Sequence, residues 1–149
     1  MPRDGKDKTP SAKTASLRKS NEFTDHLFRK LCNEQVFPKR SRWLFSGKIA
    51  DLANDYMTCI NLANEIRVVT PKEREARHYY LTMALARLQA LDAKINQAGR
   101  VLEINPDTME FYAGLANECK RLLYSWMNSD NKKYGPLPGP GHTEGDGQH

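Results

Sequence analysis

The sequence predicts an all-α protein: an antiparallel four-helix bundle with one short and three longer helices and flexible termini. Three observations point there. Two stretches, 45–66 and 81–102, keep apolar residues at alternating spacings of four and three. Two helix-start signals carry proline at the first helical position. No run alternates apolar and polar residues with the period of two that a half-buried strand needs.

A first, shorter helix is predicted over about 21–34, from NEFTDHLFRKLCNE. The second opens at Phe37-Pro38, where Phe37 staples the helix start. Its seam is Phe45, Ile49, Leu52, Tyr56, Cys59, Ala63 and Ile66. Thr70-Pro71-Lys72-Glu73 is a capping box with proline at the first turn, and it starts the third helix. Leu81, Ala84, Leu88, Leu91, Ile95, Ala98 and Leu102 form the third helix's seam. Asn105-Pro106-Asp107 opens the fourth, which presents Tyr112, Leu115, Cys119, Leu122 and Trp126. Seams of period 3.5 pack helices near +20°, and the short connections at 68–70 and 103–105 make neighbours antiparallel.

The bundle is assigned to residues 21–130 as one domain. Residues 1–20 hold six Lys or Arg, two Asp and few large apolar side chains, so they read as a disordered basic tail. Residues 131–149, with Gly135-Pro136-Leu137-Pro138-Gly139-Pro140-Gly141, read as a flexible Pro/Gly-rich tail. The net charge is +5 and the isoelectric point about 9.2. No stretch approaches the roughly 18 apolar residues of a membrane span, and the N-terminus lacks a signal-peptide apolar region. A cytoplasmic protein is expected. Cys32, Cys59 and Cys119 have no CxxC spacing and read as reduced thiols.

The apolar stripes are wider than the seams. Ala53, Met57 and Ile60 add a second line to the second helix; Tyr79, Tyr80, Met83 and Ala86 to the third; Leu123 and Met127 to the fourth. Either the core-facing stripe is broad, or the surplus is buried against copies of the same chain. Trp43 lies off its seam and joins Met57, Tyr79, Met83, Leu123 and Met127 as a candidate interface residue.

No catalytic constellation is present, so no enzyme, cofactor or metal is expected. Glycine-rich phosphate loops, Gly-x-Ser-x-Gly elbows and Cys/His zinc patterns are missing. Glu75-x-x-His78 occurs once, whereas di-iron bundles use two such motifs and two further glutamates.

Cations recur at helix ends: Lys39, Arg40 and Arg42; Arg67; Lys72, Arg74 and Arg77; Arg100; Lys120 and Arg121. The layout predicts two basic poles, one where the second helix meets the third and one near Arg100. Residues 35–50 contain no acid. Cations at a helix start oppose the helix dipole, so Lys39, Arg40 and Arg42 invite an external anion such as a nucleic-acid backbone. Sequence-specific reading is not indicated, because no RNP motif, helix-turn-helix or KH loop occurs.

The pattern FPKRSRWLFSGKIADLANDYMTCINLANEIRV, a long Leu/Ala-rich helix and then ECKRLLYSWMNS resembles the Avd-like four-helix-bundle family. These bacterial proteins are accessory variability determinants of diversity-generating retroelements, related to bundle proteins of ribosomal RNA intervening sequences. The shared features are Pro38 with its basic neighbours, Asn61–Asn64, Arg100 and Trp126, across about residues 21–130. The resemblance implies a non-catalytic homopentameric ring that binds a reverse transcriptase and its template RNA. It also implies subunit interfaces on the surplus apolar stripes and RNA contacts at Arg40, Arg42, Arg74, Arg77 and Arg100. The alternative is a structural protein–protein interaction bundle of a mobile element, with no nucleic-acid role.

Overall fold

The computed structural model describes residues 9–135 and 137. They form four α-helices: α1 (Ala12–Leu31), α2 (Gly47–Glu65), α3 (Pro71–Val101) and α4 (Pro106–Tyr134). A 3₁₀ turn (Lys39–Ser41) and a π turn (Arg42–Ser46) lead into α2. Among the described residues there is no strand.

The start signals act as expected. Glu73 Oε1 accepts from Thr70 N at 2.6 Å and Val69 N at 3.0 Å, satisfying amides that have no helical partner. Those donors hold the Glu73 carboxyl below its ordinary value of 4.5. Asn105 Oδ1 accepts from Asp107 N at 2.7 Å at the head of α4.

The helices fall into two lengths, 20 and 19 residues for α1 and α2 and 31 and 29 for α3 and α4. The expectation of a single short helix over 21–34 is corrected, as is a tail extending to residue 20. Ser11 caps α1 by accepting from Thr14 N at 3.1 Å, and the helix buries Ser16, Ser20 and Thr24 at four-residue spacing. These small side chains let α1 approach closely, and Ser20 Oγ lies 2.5 Å from Tyr56 Oη of α2. The buried line of α1 therefore begins with serines, and an apolar pattern cannot register it. Residues 1–8 lie outside the described residues. At the other end α4 continues to Tyr134, so residues 131–134 are helical. Beyond Gly135 only Leu137 is described.

The α3 seam is buried from Leu81 through Ala98, and in α4 Tyr112, Leu115, Cys119, Leu122 and Trp126 are buried. The surplus lines prove to be partly core. Ala53, Ile60 and Leu123 are completely buried, while Met57 and Met127 pack against the core from its edge. Leu123 is thus withdrawn as an interface residue, because no part of it reaches the surface.

Across α3 and α4, contacts fall in one helix as they rise in the other. Arg77 meets Asp130, Asp92 meets Lys120 at 2.9 Å, and Gly99 lies against Met109. Tyr112 Oη donates to the His26 carbonyl at 2.9 Å and joins α4 to α1. Burial pushes the Cys119 thiol up to about 11.

Ser16 Oγ is buried without a hydrogen-bond partner among the described residues. Ser16→Ala should therefore leave stability unchanged or raise it, whereas Ser20→Ala removes the oxygen partner of the buried Tyr56 hydroxyl, leaves it only the weak Cys119 thiol, and should cost about 1–3 kcal/mol. Urea unfolding of the two variants checks this contrast.

Candidate nucleic-acid interface

Proline at position 38 provides no amide, so the chain turns there on the Pro38 carbonyl. Ser41 N donates to it at 2.9 Å and Ser41 Oγ at 2.8 Å. The next turn is wide. Gly47 N donates to the Arg42 carbonyl five residues back, and a Cβ on Gly47 would come within 3.2 Å of that oxygen. Extended backward from Phe45, the heptad pattern assigns the inward position to Arg42. The π turn gives that position to Ser41 instead, so Phe37, Ser41, Phe45 and Ile49 are the buried residues, four apart.

Arg42, Trp43 and Leu44 all face outward as a result. Trp43 is 85% exposed and Leu44 63%. Arg42, Trp43, Gly47, Lys48 and Asp51 line a shallow cleft of about 280 Å³. Arg40 is exposed beside it. Lys39 Nζ stands 3.7 Å from Glu34, but both side chains are well exposed, so the pair contributes little. Among the described residues Arg40, Arg42 and Lys48 have no carboxylate within ion-pair distance. Sequence reasoning passed over Lys48, although it falls inside the acid-free stretch.

The other basic pole is corrected. Arg74 and Arg77 are 4% and 6% exposed, turned into the interior between helices rather than toward a phosphate backbone. Arg77 donates through Nε and Nη2 to both oxygens of Asp130, at 2.9 and 3.0 Å, and through Nη1 to the Ile66 carbonyl at 3.1 Å. Arg74 Nη2 donates to Asn131 Oδ1 and to the Gly135 carbonyl. One signal was available: Asp130 is an acid in the last turns of a helix, where the dipole disfavours it unless a cation compensates.

Arg100 is exposed but separate. Its cleft is lined also by Asn96, Ile104, Asp107 and Glu110, so acids stand beside it and the Arg42 cleft is not shared. Of the candidate interface residues, Trp43 and Tyr79 are exposed, Tyr79 at 57%, and Met57, Met83 and Met127 are half-buried. Among the described residues no three His, Cys, Asp or Glu side chains could together hold a metal ion. No described helix is long and apolar enough to cross a membrane.

No family model, curated protein or solved structure matches the chain. The described residues define an all-helical class, four helices with an exposed aromatic–cationic segment at the head of α2.

Breaking the buried pair by Arg77→Ala should cost about 3–5 kcal/mol. Arg40→Ala and Arg42→Ala should change stability by no more than about 0.5 kcal/mol, and chemical denaturation compares the three. Partial burial and the nearby Arg74 hold His78 below its ordinary 6.5. The folded state therefore favours neutral His78, and its contribution is complete above pH 6.5 and lost as pH falls below it. Stability profiles of wild type and His78→Gln should diverge only on that acid side.

Proposed function

We propose that this chain is a non-catalytic accessory protein of a bacterial diversity-generating retroelement. In this reading the four helices form an antiparallel bundle, and copies of it assemble into a ring that holds the reverse transcriptase and its template RNA. The opposed order of contacts along α3 and α4 supports the antiparallel arrangement. The exposed rings of Trp43 and Tyr79 support assembly or docking. The pentameric number and the reverse transcriptase follow from the Avd-like resemblance alone.

One observation carries the RNA reading: an outward tryptophan flanked by cations that, among the described residues, have no carboxylate within ion-pair distance. Single strands are bound without sequence preference by such surfaces, with bases stacking on the ring and phosphates held by Arg and Lys. Arg40, Arg42 and Lys48 supply the phosphate contacts here, and Trp43 the stacking face. Lys39 and Arg100 are peripheral, and Arg74 and Arg77 have no part in it.

Fluorescence anisotropy with a single-stranded RNA, at several salt concentrations, tests the proposal. Each phosphate contact adds about 0.7 to the slope of log affinity against log salt, so Arg40→Ala/Arg42→Ala should flatten it by about 1.4. Trp43→Ala should cost about 1–3 kcal/mol on any sequence. No binding even at low salt would leave the protein-interaction reading, which the exposed pair Trp43 and Leu44 also favours. Light scattering should give a multimer, and a monomer would remove the ring.

A further inference from the structure

Arg74 and Arg77 stand one turn apart on α3 and both are almost wholly buried, but among the described residues only Arg77 has a buried carboxylate partner. Arg77 presents its Nε–Nη2 edge to the two oxygens of Asp130, at 2.9 and 3.0 Å. Arg74 meets the next residue of α4, Asn131, with one arm of the same edge. An amide has only one oxygen to offer, and Arg74 Nη2 takes it at 2.5 Å. Arg74 Nε is left buried without a partner among the described residues. A buried charged donor with no acceptor is costly, and bidentate carboxylate is the anion that fits a guanidinium edge.

A cleft of about 390 Å³ lies beside this arginine. Val68, Val69, Pro71, Tyr134 and Leu137 give it apolar walls, and Glu75 places one negative charge at its lining. Val69 is 75% exposed. Asn131 is also exposed, so it can swing away from Arg74 without leaving the core.

We infer that Arg74 and this cleft form a docking site for the C-terminal carboxylate of a peptide whose last residue is apolar. The carboxylate displaces Asn131 and engages Nε and Nη2 side-on, as Asp130 engages Arg77. The terminal apolar side chain lies against Val69 and Tyr134. A C-terminus suits the site because it carries carboxylate and side chain on the same Cα. The negative charge of Glu75 weighs against a doubly charged phosphate. This inference is independent of the RNA reading.

The experiment uses the full chain, labelled with ¹⁵N, and follows the arginine Nε–Hε signals. Arg74→Lys identifies the Arg74 signal while keeping the positive charge. The probe is N-acetyl-glycyl-leucine with a free carboxylate. It should shift the Arg74 signal saturably in the millimolar range, the weak end of specific binding. The C-terminal amide of that peptide, the capped glutamate N-acetyl-glutamyl amide and inorganic phosphate should each bind at least about tenfold more weakly, a difference of about 1.4 kcal/mol. Asn131→Asp supplies the missing carboxylate from within and should raise the melting temperature and abolish the peptide shift. The inference is overturned if the peptide acid leaves the signal unmoved, or if its amide or phosphate acts equally. Capped glutamate acting equally would replace the C-terminus by an acidic side chain and overturn the assignment. Full peptide affinity in Asn131→Asp would overturn it too.

Discussion

The ion pair between Arg77 and Asp130 is the constraint on which one end of the molecule depends. Both side chains are nearly inaccessible, so each would carry a heavy desolvation penalty without the other. Their bidentate geometry permits little sliding of α3 against α4. The third arm of the guanidinium reaches the Ile66 carbonyl just past α2, so one cation ties three helices together. Tyr134 closes the arrangement, with its ring under both guanidiniums at 5.6 and 6.0 Å. A favourable cation–π contact adds to the pair without supplying the anion that Arg74 lacks.

This arrangement also governs where positive charge reaches the surface. Cations that look alike along the chain separate into two kinds once α3 and α4 are side by side. Arg74 and Arg77 in the first turns of α3 are structural, and the cations at the head of α2 are exposed. A sequence pattern cannot make that separation, because Asp130 lies 53 residues from Arg77. The acid near the end of α4 was the only local hint.

What could be read in advance follows the same physical logic. The α3 seam was legible because Leu81, Leu88, Leu91 and Ile95 combine large apolar side chains with a strict repeat, and all four are buried. The starts of α3 and α4 were legible because proline and a side-chain acceptor within a few residues satisfy the first amides locally. The first half of α1 was not, since its inward line is Ser16, Ser20 and Thr24, residues that ordinarily mark surface. Ser20 is matched inside by Tyr56, whose Oη lies 2.5 Å away and which becomes its neighbour only in the fold, while Thr24 donates to the Ser20 carbonyl at 3.0 Å. The candidate site was half legible. Its cations and tryptophan were visible, but their common outward direction was not.

That direction comes from one departure from helical geometry. A regular helix continuing back from the α2 seam would bring Arg42 three residues before Phe45 and turn it toward the core. Burying an unpaired guanidinium there would be far more costly than widening one turn. The wider turn inserts a residue into the repeat, moves Ser41 inward and lets Ser41 close on the Pro38 carbonyl. Phe37 and Phe45 keep their places in the core on either side, so the segment is anchored at both ends. Lys94 Nζ, 5.9 Å from the centre of the Phe45 ring, covers that anchor from α3. Cations at a helix start are unfavourable for the backbone, yet here they are held on a short, anchored stretch with an exposed indole among them. π turns occur often where a helix carries function rather than packing. The fold explains how Arg42 and Trp43 are turned outward; an anionic partner at that surface would explain why the residues there are basic and aromatic.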